Sequence, residues 1–267
     1  PFAVALDPDA DRCAIGVPSP SGWRMLTGDE TGWLLGDYIL SGCDDPTAVV
    51  ASTVVSSRML ASIAADHGAR HVETLTGFKW LARADTNIPD LPDATLVYAY
   101  EEAIGHCVDP AAVRDKDGIS AAVLLCDLVV ALRRRRRTML DALDDLARRH
   151  GVHTTTAVTR RVETAEAAAA LMARLRAAPP HQVAGVALTV TDLADFAFSA
   201  TGLAAPTDAL VFYGADDSAS VRIVTRPSGT ESKLKSYIEI RCGGDLPLAS
   251  KRAARLQDAV AAAVRQW

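Results

Sequence analysis

Apolar and polar positions change period several times along the chain, and each change marks a predicted element. Phe2–Leu6 is a short apolar run that predicts a strand, and the acidic stretch Asp7 to Arg12 follows at once. A second strand, Cys13–Val17, ends in turn residues from Pro18 to Gly22, and Trp23–Leu26 reads as its hairpin partner. Thr31–Leu40 switches to helical spacing, with Leu34 and Tyr38, and Leu35 and Ile39, four apart. Strands at Ala48–Thr53, His71–Leu75 and Leu96–Tyr100 then alternate with helices at Arg58–Gly68, Lys79–Arg83, Ser120–Arg133 and Thr138–His150. That alternation predicts a doubly wound α/β domain. Beyond Gly151 strands predominate, at Thr154–Val162, Val186–Val190, Ala209–Tyr213, Ser220–Thr225 and Leu234–Ile240. A helix over Glu163–Ala177 and a closing helix over Leu248–Arg265 complete an α+β module with an antiparallel sheet.

Composition adds boundaries to this picture. At 267 residues the chain is long enough for about two domains, and 49% hydrophobic with 23% charged residues is ordinary globular usage. A formal charge of −5 argues against wholesale adhesion to nucleic acid or membrane, and no apolar run is long enough to span a bilayer. Five scattered cysteines without paired spacing read as thiols of a reducing compartment, which points to the cytoplasm. The run Arg133 to Arg137 reads as the solvated end of a helix, where cations complement the dipole. The first residues open directly into a strand without an initiator methionine, so the chain reads as a fragment.

Four polar constellations stand out against this background. Asp7, Asp9 and Asp11 alternate directly after a strand, with Arg12 adjoining; hard oxygen donors at that spacing suit Mg²⁺, and the plainer alternative is a solvated acidic turn. Thr76-Gly77-Phe78-Lys79-Trp80 is a strand-to-helix turn, either a ligand loop or simply a turn with an exposed lysine. Glu101-Glu102-Ala103-Ile104-Gly105-His106 also follows a strand, and its carboxylates can accept bonds from vicinal hydroxyls or merely face solvent. The nearby segment Arg114 to Gly118 reads as a helix cap or as part of the same polar cleft. Last, Arg226-Pro227-Ser228-Gly229-Thr230 combines a guanidinium with hydroxyl and backbone donors, the chemistry of a phosphate cradle, or else forms a hairpin loop.

In this order the four motifs resemble the α-D-phosphohexomutase superfamily, which holds the phosphoglucomutases and phosphomannomutases. The spelling is similar to the branch of actinobacterial phosphomannomutase-type enzymes and phosphoglucomutase/phosphopentomutases. The resemblance implies mixed α/β domains followed by a TATA-binding-protein-like α+β domain at the C-terminus. It divides the chain into the end of domain two (1–44), a sugar-binding domain three (45–153) and a phosphate-binding domain four (154–267). It implies a phosphosugar mutase that interconverts hexose 1-phosphate and 6-phosphate through a phosphoserine and a sugar bisphosphate. Asp7, Asp9 and Asp11 would hold Mg²⁺; Arg12 would sit beside the transferring group, and His106 would assist proton transfer. Gly77, Phe78, Lys79, Glu102 and Ile104 would meet the sugar, while Arg226, Ser228, Gly229 and Thr230 would clamp the phosphate that is not reacting. Its partners would be sugar monophosphates.

Two departures from the family pattern bear on this expectation. No serine loop of the form T-A-S-H-N-P occurs among these residues, so the 267 residues alone are expected to be inactive. Ile104 also stands where many hexomutases have a serine, which leaves pentose 1-phosphates open as substrates. Two other readings remain: a non-catalytic fragment that binds sugar phosphate, and a haloacid-dehalogenase-type phosphatase with Asp7 as nucleophile.

Overall fold

The structure is a computed structural model that describes residues 2–194, 206–228 and 231–267. Two compact units divide it, the first ending at Leu146 and the second beginning at Ala147.

The first unit begins with a three-stranded antiparallel sheet, β1 (Ala3–Leu6), β2 (Cys13–Ser19) and β3 (Gly22–Met25). Helix α1 (Gly28–Ser41) follows, opened by a reciprocal cap in which Glu30 N–H donates to Thr27 Oγ1 and Thr27 N–H to Glu30 Oε2. Next come β4 (Ala48–Thr53), α2 (Met59–Asp66), β5 (Arg70–Thr74), the short α3 (Phe78–Leu81), β6 (Thr95–Glu101) and β7 (Gly105–Cys107). Helices α4 (Gly118–Arg134) and α5 (Met139–His150) close this stretch, and the division between the units falls within α5. The sheet order is β5-β4-β6-β7, parallel through β5, β4 and β6, with β7 antiparallel at the edge.

Alternation along these strands feeds two cores. Val50, Tyr98 and Tyr100 pack with Leu34 and Leu35 of α1, Leu60 and Ile63 of α2, and Leu125 of α4. Val49, Ala51 and Ala99 on the opposite face pack with Phe78 and Leu81 of α3. Cys13, Ile15 and Val17 of β2 join the first of these cores, so the opening sheet shares its packing with α1 and α4.

In the second unit β8 (Val152–Arg161), α6 (Ala165–Ala177), β9 (Gln182–Val183), β10 (Val186–Ala187), β11 (Thr189–Asp192), β12 (Leu210–Ala215), β13 (Ala219–Pro227), β14 (Lys233–Cys242) and α7 (Leu246–Val264) follow in turn. Strands β11-β12-β13-β14-β8 form one antiparallel sheet. Leu171, Met172 and Leu175 of α6 and Ala249, Ala253 and Val260 of α7 pack with its buried side chains.

The sequence pattern misses three features. The predicted strand over Val186–Val190 is two strands, because Val186 and Ala187 pair with β9 whereas Thr189 and Val190 pair with β12. Three residues are too few for β7 to show a period, and two for β9, so the pattern predicts neither.

Helix α1 lies so close to the sheet that its first residue has no room for a side chain. A Cβ on Gly28 would stand 2.1 Å from the Glu102 carbonyl oxygen and 2.8 Å from Ile104 N. Gly28→Ala is therefore expected to destabilise the fold by about 3 kcal/mol, the scale of overpacking against an unyielding backbone. Gly42→Ala at the other end of the helix, where the nearest atom would be 3.9 Å away and φ is −111°, is expected to change stability by less than about 0.5 kcal/mol. Urea unfolding of the two variants checks both values.

Candidate active site

The acidic stretch is the loop of a hairpin. Strands β1 and β2 pair as far as Leu6 and Cys13, leaving Asp7 to Arg12 to turn back between them. Ala10 takes a left-handed φ of 57°, its N–H donating to Asp7 O at 3.0 Å, while Arg12 N–H donates to Asp7 Oδ1 at 3.1 Å. This turn gathers the three aspartates: each offers a carboxylate oxygen, and all lie within 4.8 Å of one another. Asp11 Oδ1 is buried and has no hydrogen-bond partner among the described residues. Three hard oxygen donors and one orphaned carboxylate oxygen fit a divalent ion such as Mg²⁺.

Two other segments pin this loop. Gly118 N–H donates to Ala10 O at 3.1 Å, and Cys13 N–H donates to Ile104 O at 3.1 Å. Arg12 also forms an isolated antiparallel bridge with Gly105. The carboxylate triad and the Glu101–Gly105 loop are therefore neighbours through backbone contact. Gly118 is required here, since a Cβ would meet Arg12 O at 2.6 Å and Ala10 O at 2.8 Å.

Charge follows the same route. Arg12 reaches Glu101 Oε1 at 3.4 Å and Asp7 Oδ2 at 3.8 Å, so one guanidinium spans both loops. Lys116 Nζ lies 2.7 Å from Asp11 Oδ2. That hydrogen bond is the largest influence holding the Asp11 carboxyl below its usual range. Burial pushes the Glu101 carboxyl up, against the pull of Arg12 and Lys116. Lys116 was not singled out from the sequence, although its charged segment was. Both readings of that segment hold: Asp117 caps α4 by accepting from Ile119 N–H at 2.9 Å, while Lys116 enters the site.

Glu102 is aimed by residues at the end of β4. Its N–H donates to Ser56 Oγ at 3.2 Å, and its Oε2 accepts from Thr53 Oγ1 and Ser56 Oγ, each at 3.4 Å. Buried Asp29 in the first turn of α1 accepts from Ser57 N–H at 2.8 Å and from the Tyr100 hydroxyl at 2.9 Å. Neither Ser56, Ser57 nor Asp29 carries a motif that marks it; only the folded chain shows their roles.

The other expected residues divide. Gly77 turns the chain into α3 with φ of 108°, and Lys79 is exposed with Nζ 5.2 Å from the Trp80 ring centre. Phe78, expected to meet the sugar, is instead a core residue, 7% exposed, because the first turn of α3 directs it onto the sheet. Ile104 sits at φ 58°, a strained conformation for a β-branched residue, and its carbonyl forms the latch to Cys13.

His106, expected as a cleft histidine, is fully buried. Its Nδ1 lies 3.0 Å from the Tyr98 hydroxyl, its ring stacks with Tyr98 and Tyr100, and burial pushes its pKa down to about 3. It stands among aromatic rings as a neutral core group, because β7 turns it inward.

In the second unit, Arg226 and Pro227 end β13, and Ser228 N–H donates to Lys233 O at 2.9 Å across the base of the loop. Gly229 and Thr230 lie outside the described residues.

Comparison with known proteins matches residues 27–150 to the model of the phosphoglucomutase/phosphomannomutase α/β/α domain III. A probable phosphomannomutase of Haemophilus influenzae is 36% identical over 266 residues, covering 99% of this chain and 51% of the relative. These matches support membership of the α-D-phosphohexomutase superfamily. The chain spans about half the length of that relative. It is also 37% identical over 165 residues to a mouse phosphopentomutase, covering 58% of this chain and 26% of the relative. The fold is shared with a Paramecium phosphoglucomutase structure at a TM-score of 0.65 and 18% identity, covering 97% of this chain and 45% of that one. The architecture is thus the mixed α/β and α+β arrangement of phosphohexomutases.

The buried imidazole sets a pH dependence. Above its ordinary value of 6.5 the ring is neutral whether the chain is folded or not. Between 6.5 and about 3 only the unfolded state takes up the proton, so stability falls with falling pH by about 1.4 kcal/mol per unit from this group. Urea unfolding from pH 7 to pH 4 is expected to show that slope, and His106→Gln to flatten it by the same amount.

Proposed function

We propose that this chain carries the metal, sugar and distal-phosphate sites of a phosphosugar mutase acting on hexose 1- and 6-phosphates. One observation carries the reading: three aspartate oxygens within 4.8 Å of one another are joined by backbone contacts to a Glu101–Gly105 loop whose Glu102 is aimed by Ser56. Bound Mg²⁺ would supply Lewis-acid neutralisation of a phosphoryl group in transfer.

The chain's own residues do the rest. Arg12 places a guanidinium beside the triad and keeps Glu101 from presenting an unpaired charge. Glu102 accepts hydrogen bonds from ring hydroxyls, and the exposed Lys79 with the Gly77 turn receives the sugar phosphate. Arg226, Ser228, Gly229 and Thr230 clamp the second phosphate through hydroxyl, backbone and guanidinium donors. Phosphoryl transfer proceeds by way of a phosphoserine and a sugar bisphosphate, and the 267 residues hold no counterpart of that serine loop. The site is that of a metabolic enzyme of the cytoplasm, with 1–44, 45–153 and 154–267 as successive domains.

A second reading has its own support. Ile104 offers the sugar no hydroxyl, and the matched mouse relative bears the name phosphopentomutase. Pentose 1-phosphates are accordingly included in the test.

Calorimetric titration with mannose 1-phosphate, glucose 1-phosphate and ribose 1-phosphate in Mg²⁺ examines the reading. Saturable binding of at least one ligand is expected, weakened by about 1–3 kcal/mol in Arg226→Lys, which keeps the charge and loses the bidentate fork. No binding of any of the three, or an affinity unchanged by Arg226→Lys, would remove the clamp from the proposal.

A further inference from the structure

We propose that Lys116 is a built-in counter-ion of the carboxylate loop, one that competes with the metal for Asp11 and so holds metal affinity down. The inference rests on the reading of Asp7, Asp9 and Asp11 as the metal site.

The geometry is that of a tethered cation. Lys116 lies two residues before α4, whose first residue, Gly118, is bonded to the carboxylate loop, so the backbone holds the lysine over that loop. Its Nζ is 2.7 Å from Asp11 Oδ2, 3.9 Å from Asp115 Oδ1 and 5.8 Å from the centre of the Phe78 ring. The stem fills the space a side chain at Gly105 would need, since a Cβ there would stand 2.9 Å from Lys116 Cδ. The side chain is 19% exposed, so solvent screens the ammonium only weakly.

Formal charge shows the consequence. Asp7, Asp9, Asp11, Glu101 and Asp115 carry five negative charges, and Arg12 and Lys116 carry two positive ones. The group stays net negative, which draws a divalent cation, and Lys116 reduces that net charge. Lys116 takes one oxygen of Asp11 and leaves the other, Oδ1, buried and without a hydrogen-bond partner among the described residues. The lysine therefore steadies a loop of like charges before metal enters, and its charge opposes the entry.

A merely structural lysine and a competing one predict opposite signs. Mn²⁺ titration of chelator-treated 1–267, followed by the resonance of free Mn²⁺, is the test. Lys116→Met is expected to bind Mn²⁺ about tenfold more tightly than the parent, and Lys116→Arg within about threefold of it. Without metal, Lys116→Met is expected to melt at a lower temperature than the parent and to gain more from added Mn²⁺. Lys116→Gln reads the same quantities should the methionine variant not fold. Unchanged or weaker binding in the neutral variants, with the parent binding normally, overturns the inference alone. A parent that binds no Mn²⁺, or that binds it as well after Asp9→Asn, overturns the metal reading itself.

Discussion

The site depends on how closely three backbone segments approach. Ala10 O receives Gly118 N–H, Ile104 O receives Cys13 N–H, and Arg12 bridges to Gly105. The carboxylate loop is thereby fixed by main-chain bonds from the start of α4 on one side and from the β6–β7 loop on the other. Such bonds leave little freedom in where the carboxylates stand, which is the preorganisation a metal or phosphoryl site needs. Side chains are excluded at the contact by Gly118, and at the neighbouring contact between α1 and the β6–β7 loop by Gly28.

Fixing three aspartates together has an electrostatic cost, and the surroundings show how it is met. Arg12 serves Asp7 of its own loop and Glu101 of the next, and Lys116 serves Asp11 from the segment before α4. Glu102 receives hydroxyl donors as well: Ser56 and Thr53 both reach its Oε2 and help to orient the carboxylate. Below these groups Tyr98, Tyr100 and His106 stack as an uncharged floor under the strand end.

Much of this was legible in the chain. Repeating apolar periods placed all the long elements, with Ala48–Thr53 matching β4 end to end. The alternate spacing of Asp7, Asp9 and Asp11 foretold their convergence, because a tight hairpin loop directs such side chains to one side. What escaped was information that only long-range contact holds. Lys116 gains its meaning from a partner 105 positions earlier, and Ser56 from one 46 positions later. His106 and Phe78 sit in motif positions yet point into the core, since one-residue alternation along β7 and the first turn of α3 decides their direction. Val186–Val190 keeps an apolar look through a change of pairing partner, from β9 to β12.

In the proposed function the backbone-locked aspartates form one divalent-metal site beside the Glu101–Gly105 loop. Anomalous diffraction from crystals of the 267-residue chain grown in Mn²⁺ tests it most directly. The account predicts one strong peak within about 2–2.3 Å of oxygens from Asp7, Asp9 and Asp11, the range for small hard divalent cations. It also predicts that the Cys13–Ile104 and Gly118–Ala10 hydrogen bonds are intact. A peak elsewhere, or a carboxylate loop free of metal and detached from Ile104, would contradict it.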